Sequence, residues 1–107
     1  MFLTKYLNNI YYNLVIDNYS NSYINYLDEK NFEKIYNLLK KYDFYFIDDI
    51  ILNYLEIFLK EEKYVLEALE KMKIILGDNF VNIIGNNIYL MDKVIDIIFE
   101  LERSSIL

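Results

Sequence analysis

Apolar residues recur along this chain every three or four positions, the spacing that places side chains on one face of an α-helix. The pattern predicts five longer helices, at about residues 2–15, 32–42, 47–58, 65–76 and 91–98, with short extra turns near 18–27 and 79–84. The stretch DFYFID alternates weakly, but an isolated strand would have no partner. Residues 42–47 are therefore predicted to form a loop and the first turn of a helix. The predicted fold class is all-α.

Both glycines and several polar residues stand where the predicted helices would begin or end. Gly77 follows the 65–76 stripe, where a glycine supplies the left-handed conformation that ends many helices. Gly85 is expected to end the short turn near 79–84. The residues expected to cap helix N-termini, in chain order, are Asp28 or Asn31, Asp43, Asp78, and Asn86 or Asn87.

Residues 1–107 are predicted to form a single compact helical domain, since the length is that of one domain. Hydrophobic residues make up 55% of the chain, which is enough for a core without disulfides or metals. Asn, Ile, Lys and Tyr are abundant, whereas Ala, Gly, Pro and Arg are scarce. The abundant residues have AT-rich codons, so an AT-rich coding sequence is expected, and it weakens Asn and Tyr as functional signals.

The residue types that most enzymes use for catalysis are missing. The chain has no Cys and no His, which excludes thiolate catalysis, zinc–thiolate sites and imidazole bases. No serine lies in a nucleophile-elbow motif, and the two glycines are too far apart for a phosphate-binding loop. Asp92 and Asp96 lie one helical turn apart, but one pair supplies too few oxygens for a metal site. We therefore expect no enzyme activity, no cofactor and no metal ion.

The net charge of −6 argues against a nucleic-acid partner, because an acidic chain repels phosphates. Arg103 is the single arginine, so base readout is poorly supplied as well. A membrane partner is not expected, since no predicted helix has a basic polar face. No signal peptide or transmembrane segment is visible, and a cytoplasmic location is expected.

Two groups of residues are candidates for contact with a protein partner. The first lies in the segment NLVIDNYSNSYINYLDE, residues 13–29, and just before it. Tyr and Asn together provide rigid contact area and adaptable hydrogen bonds in recognition surfaces. AT-rich codon usage also explains these residues, and both interpretations stay open. The candidate tyrosines are Tyr12, Tyr19, Tyr23 and Tyr26.

The second group is acidic. One interpretation is that its members imitate nucleic-acid phosphates and occupy a basic channel of a partner. An ordinary solvated surface accounts for the same residues, so the sequence does not decide which face binds. The candidate carboxylates are Asp43, Asp48, Asp49, Glu61 and Glu62.

The leading hypothesis is a small acidic inhibitor encoded by a phage or another mobile element of an AT-rich bacterium. It would dock on the basic channel of a nucleic-acid-handling defence enzyme, as an anti-CRISPR protein does. One alternative is an immunity protein that neutralises a toxin nuclease. Another, of a different class, is a structural module that forms homodimers or larger assemblies through its tyrosine-rich N-terminal helix.

Overall fold

The computed structural model describes residues 1–106, which contain seven α-helices, three short 3-10 helices and no strand. The 3-10 helices span Phe2–Lys5, Leu55–Leu59 and Ile88–Leu90. The predicted all-α fold class is confirmed, with seven α-helices where five longer helices and two short extra turns were predicted. The α-helices are α1 (Asn9–Asn18), α2 (Asn21–Asn25), α3 (Glu29–Lys41), α4 (Ile47–Asn53), α5 (Glu62–Leu76), α6 (Phe80–Asn86) and α7 (Met91–Ile106).

The long helices α3, α5 and α7 form the centre of the packing, with α5 lying against both of the others. α4 and the 3-10 helix Leu55–Leu59 pack on α3, α1 packs on α4, and α6 packs on α5. The Cα radius of gyration is 13.7 Å. The buried apolar side chains form one core that includes residues from Leu3 to Ile98. α1 is therefore held in place mainly through α4.

An aromatic cluster around Phe32 joins the N-terminal segment to the middle of the chain. The fully buried ring of Phe32 stacks on Phe58, with ring centroids 4.4 Å apart. Phe2 and Tyr6 contact Phe32 at centroid distances of 5.3 and 4.9 Å. Each aromatic pair of this kind adds about 0.5–1.5 kcal/mol to the stabilisation from buried area. The cluster thus fixes α3 against the 3-10 helix that contains Phe58.

The single helix predicted at residues 2–15 is two elements, because Asn8 starts a new helix. The Asn8 side chain accepts a hydrogen bond from the Tyr11 backbone N–H at 2.9 Å and caps α1. The apolar spacing predicts Ile10 and Leu14 on the buried stripe, but they are 72% and 43% exposed. The break changes the helical phase, so the side of α1 that faces the core carries Tyr11, Tyr12, Val15 and Ile16 rather than Ile10 and Leu14.

The helix predicted at residues 47–58 is also interrupted, since α4 ends at Asn53 and a 3-10 helix begins at Leu55. Tyr19 bridges the break with its hydroxyl. That hydroxyl donates to the Leu52 carbonyl at 3.0 Å and accepts from the Leu55 N–H at 3.4 Å. Because Tyr19 comes from a distant part of the chain, the periodicity of residues 47–58 does not reveal the break.

Two of the predicted helix boundaries are confirmed and one glycine has a different role. Asp28 caps α3 by accepting a hydrogen bond from the Asn31 N–H at 3.1 Å. Gly77 ends α5 with a φ of 88°. Gly85 was expected to end a helix, but it lies inside α6, where a Cβ atom would collide with the hydroxyl end of Tyr45 and with the buried ring of Phe46. Close packing at this position therefore favours a residue without a Cβ atom, and Gly85 does not end the helix.

Asp43 does not cap α4, whose N-cap is the apolar Phe46. It ends α3 instead. The Asp43 N–H donates to the Lys40 carbonyl at 2.9 Å, and the Phe44 N–H donates to the Leu39 carbonyl at 3.1 Å. These two bonds form a Schellman motif, which requires a left-handed residue after the helix, and Asp43 has a φ of 67°.

The two predicted extra turns are both short α-helices, α2 and α6. Ser20 caps α2 by accepting a hydrogen bond from the Tyr23 N–H at 3.1 Å. The prediction that Asp78 caps α6 is wrong, because Asn79 occupies the N-cap position one residue later. Asn87 is the N-cap of the 3-10 helix Ile88–Leu90, which leads directly into α7.

Replacing Asp43 with glycine should stabilise the fold, because glycine adopts the left-handed conformation without the steric cost of a Cβ atom. We expect Asp43→Gly to raise the free energy of unfolding by about 1 kcal/mol and the Tm by about 4–8 °C. Urea and thermal unfolding measure these changes. Asp43→Asn removes the charge but tolerates the same conformation, and should have a much smaller effect. A less stable Asp43→Gly variant would contradict the assigned helix ending.

Tyr19→Phe should destabilise the fold by about 1–2 kcal/mol, because it leaves two backbone groups at the end of α4 without their partner. Urea unfolding of the purified variant measures the loss. Tyr26 is 79% exposed, so Tyr26→Phe is the matched control and should change stability by less than about 0.5 kcal/mol. Equal stability of the two variants would show that the Tyr19 hydroxyl does not support the break.

Candidate protein-interaction surface

α4 carries two adjacent carboxylates, Asp48 and Asp49, in its first turn. Ile47, Ile50 and Ile51 bury the inner side of the helix, whereas both carboxylates stay partly exposed. The free backbone N–H groups and the helix dipole at an N-terminus favour negative charge there. The start of α4 therefore holds two like charges side by side at the surface.

α1 packs against α4 and brings a tyrosine hydroxyl onto one of these carboxylates. The Tyr11 hydroxyl donates a hydrogen bond to Oδ1 of Asp49 at 2.7 Å. This hydrogen bond, and then burial, raises the pKa of Tyr11, so the hydroxyl remains protonated and can donate. The apolar spacing assigns Tyr11 to the core, and its ring does pack there. Its hydroxyl additionally fixes the orientation of Asp49.

The four tyrosines predicted to bind a partner differ in exposure. Tyr12, Tyr19 and Tyr23 are partly buried against the core, whereas Tyr26 is 79% exposed. Tyr19 and Tyr23 stack with ring centroids 5.2 Å apart, and burial raises the pKa of both. Since the Tyr19 hydroxyl bonds to the backbone at the end of α4, this residue supports the fold. Contact of these tyrosines with a partner remains a prediction.

Glu56 extends the acidic surface from α4 onto the 3-10 helix Leu55–Leu59. Burial, followed by the charge of Glu56, raises the pKa of Tyr23. Burial is also the main cause of the raised pKa of Tyr54, to which Asp92, Tyr89 and Glu56 add. The 3-10 helix that carries Glu56 packs directly against α4.

Six of the ten helical elements in residues 1–106 contain no lysine or arginine. α1, α2, α4, α6 and the 3-10 helices Leu55–Leu59 and Ile88–Leu90 consist of neutral and acidic residues. Lys60 follows directly, but its ammonium lies 3.1 Å from Glu102 and 4.2 Å from the Phe99 ring centroid, toward α7. The eleven basic residues are Lys5, Lys30, Lys34, Lys40, Lys41, Lys60, Lys63, Lys71, Lys73, Lys93 and Arg103.

A polar cleft of about 390 Å³ lies between α4 and the segment that joins α6 to α7. Asp49 and Asn53 line one wall, and Asn86, Asn87 and Tyr89 line the other. Polar side chains therefore surround Asp49, whereas Asp48, the next residue of the same turn, does not line the cleft. We call the following six residues the α4 surface: Tyr11, Asp48, Asp49, Asn53, Glu56 and Tyr89.

Asp43, a predicted partner-binding residue, lies in a different cleft of about 560 Å³, between the end of α3 and the start of α6. Lys41 and Lys73 line this cleft together with Asp43 and Asp78, so its charges balance. Burial and a hydrogen bond to a carboxylate of α5 raise the pKa of Tyr42, at the edge of the cleft, to about 12. Asp43 is therefore not a member of the α4 surface.

Glu61 and Glu62, the remaining predicted acidic residues, are exposed at the start of α5. Lysines precede and follow them in the sequence, and Nζ of Lys63 lies 3.6 Å from Oε2 of Glu61. The five predicted carboxylates thus occupy three different settings. Of these, the structure brings Asp49 together with tyrosine and asparagine side chains, and Asp48 precedes it in the same turn of α4.

The sequence interpretation missed Tyr11, Asn53, Glu56 and Tyr89 as members of this surface. The sequence contains one indication of this surface. Residues 42–59 and 74–92 have no Lys or Arg, although the chain has eleven basic residues. Those two segments meet at the polar cleft. The contact between them depends on tertiary packing, which residue spacing alone does not show.

Asp48→Asn should be more stabilising at pH 7 than at pH 3. Burial, and then the charge of Asp49, raises the pKa of Asp48. The folded protein holds this proton more tightly than the unfolded chain, so the Asp48 contribution to stability is lost as the pH rises through the raised pKa. Urea unfolding at both pH values measures the effect, with Asp96→Asn as a control for net charge. An equal gain at both values would contradict the raised pKa.

In residues 1–106, no group of three or more Asp and Glu side chains is placed to hold a metal ion. No helix in this described range combines the length and apolar character needed to cross a bilayer. Comparison with protein-family models, curated proteins and solved structures found no match. The α4 surface is therefore the feature from which a function can be proposed.

Proposed function

We propose that this protein is a small acidic inhibitor, encoded by a phage or another mobile element, that acts in the bacterial cytoplasm. It binds a nucleic-acid-handling defence enzyme through the α4 surface and blocks the basic channel of that enzyme, in the manner of an anti-CRISPR protein. The observation that carries the proposal is the segregation of charge. Six helical elements, including those that form the α4 surface, contain no lysine or arginine. Every charged side chain within these elements is a carboxylate.

A basic channel fits this surface on electrostatic grounds. Asp48, Asp49 and Glu56 present negative charge on elements that contain no lysine or arginine, although α3, on which these elements pack, carries four lysines. A positively charged partner would be attracted electrostatically to the α4 surface and would stabilise the ionised form of its carboxylates. The raised pKa of Asp48, caused by burial and then by Asp49, indicates a charge that lacks compensation in the free protein. Lysines and arginines of a channel would provide that compensation.

The tyrosine and asparagine side chains add contact area and directional hydrogen bonds to the attraction between charges. Tyr residues are enriched in the centres of protein interfaces, because they bury a large rigid area and still form a hydrogen bond. Tyr89 is 75% exposed beside Asp49 of α4. The bond from Tyr11 holds Asp49 in position before a partner arrives. Such ordering reduces the entropy lost on binding.

The proposal predicts inhibition that depends on the α4 surface. Purified bacterial defence nucleases, including CRISPR effectors, are assayed for cleavage with the protein in molar excess. We expect wild type to inhibit at least one enzyme, and Asp48→Asn/Asp49→Asn/Glu56→Gln to need at least about tenfold more protein for equal inhibition.

A charge-matched variant provides the control for this assay. Glu33→Gln/Glu67→Gln/Glu100→Gln removes three exposed carboxylates from α3, α5 and α7, so it changes the net charge by the same amount. It should inhibit as wild type does. Full activity of every nuclease with wild type, or equal inhibition by both triple variants, would contradict the proposal. The identity of the inhibited enzyme distinguishes a defence inhibitor from an immunity protein, which would protect against a toxin nuclease.

A second candidate function is self-assembly through α1. Ile10 and Leu14 lie one helical turn apart on this helix and are 72% and 43% exposed. Exposed apolar side chains of this kind favour contact with another apolar surface. Sedimentation equilibrium would show a concentration-dependent dimer that Ile10→Asn/Leu14→Asn abolishes. A monomer throughout the micromolar range would reject this candidate.

A further inference from the structure

We infer that the polar cleft beside α4 is an arginine-binding site, which receives one guanidinium group from the basic channel of the partner. The inference deepens the proposed function and rests on it for the identity of the partner. The cleft itself is a feature of the isolated protein, about 390 Å³ in volume. Its ability to bind arginine can therefore be tested without the enzyme.

Asp49 supplies the negative charge of the cleft. Its Oδ1 accepts the hydrogen bond from Tyr11 at 2.7 Å. A carboxylate has about four acceptor positions, so this bond leaves capacity for a guanidinium group. The tyrosine fixes the carboxylate on one side, which orients the remaining positions. Paired N–H···O bonds between arginine and a carboxylate are short, charge-assisted and directional.

The asparagines provide further acceptors around the carboxylate. The Asn53 amide nitrogen donates to the backbone carbonyl of Asp49 at 2.9 Å, which holds the Asn53 side chain over the same turn of α4. Asn86 and Asn87 face this turn from the opposite wall. Their amide oxygens, with the backbone carbonyls at the end of α6, accept hydrogen bonds. A guanidinium group carries five N–H donors and needs several acceptors of this kind.

Tyr89 makes the cleft more suitable for arginine than for lysine. Its side chain is 75% exposed and lines the opening. A planar guanidinium stacks on an aromatic ring and bonds a carboxylate in the same plane, whereas an ammonium is a compact and strongly hydrated point charge. The elements that form the two walls contain no lysine or arginine to compete for Asp49.

The test is an NMR titration of the isotopically labelled full chain with blocked tripeptides at low salt. The probes are Gly-Arg-Gly, Gly-Lys-Gly and Gly-citrulline-Gly, where citrulline is the uncharged analogue of arginine. We expect saturable shifts for Gly-Arg-Gly at Asn53, Asn86, Asn87 and Tyr89, with a dissociation constant of about 1–10 mM. Lysine should bind several-fold more weakly, and citrulline should give no saturable shift.

Variants separate the cleft from general charge attraction. Asp49→Asn keeps an acceptor for Tyr11 and should weaken arginine binding by about tenfold or more. Tyr89→Ala should remove most of the preference for arginine over lysine. Asp96→Asn and Tyr26→Ala change the same residue types outside the cleft and should leave binding unchanged. Absence of saturable shifts with arginine, or equal shifts with citrulline, would overturn the inference.

The two proposals fail in distinguishable ways. Arginine binding in the cleft without inhibition of any nuclease would reject the proposed function and keep the arginine site. Inhibition that survives both Asp49→Asn and Tyr89→Ala, with no arginine shifts in the cleft, would keep the proposed function and reject the site. Preserved spectra of residues remote from α4 in both variants verify that the fold is intact.

Discussion

The stack of Phe32 on Phe58 is the contact on which the position of the α4 surface depends. Their centroids lie 4.4 Å apart, and both rings are fully buried. Burial of a phenylalanine contributes about 1.5–3 kcal/mol, so this pair is a large part of the stability of a small domain. The stack fixes the 3-10 helix Leu55–Leu59 on α3. Tyr54 is the single residue between α4 and that helix, and the Tyr19 hydroxyl bridges the two, so the stack helps to set the position of α4 and its carboxylates.

Long, strongly periodic segments were predictable and interrupted ones were not. Asp28 and Gly77 act as local signals, because each works through hydrogen bonds or backbone angles within its own helix end. The break after Asn53 escaped prediction, because the groups it frees are bonded by Tyr19 from another helix. Gly85 was misassigned for a similar reason, since the residues that exclude a side chain there are the distant Tyr45 and Phe46. Tertiary contacts override local propensity at these positions.

The residue types of the α4 surface were predictable from the sequence, but only Asp48 and Asp49 among its residues were predicted. Composition indicated carboxylates and tyrosines, and the structure combines them where α1 meets α4. α4 contains no cation that could neutralise Asp48 and Asp49. Burial and the repulsion from Asp49 disfavour the charged form of Asp48, which lowers the stability of the fold. Packing in turn separates these carboxylates from Asp43, which shares a cleft with Lys41 and Lys73. A linear sequence does not show which acidic residues will meet a neutralising lysine.

The α4 surface and nucleic acid are expected to compete for one channel of the target enzyme. Competition is measured most directly by fluorescence anisotropy, with labelled nucleic acid bound to an inhibited nuclease and titrated with the protein. Wild type should displace the nucleic acid, its apparent affinity should fall as nucleic acid is added, and added salt should weaken it further. A stable ternary complex, in which the enzyme retains its nucleic acid while the protein is bound, would contradict the account.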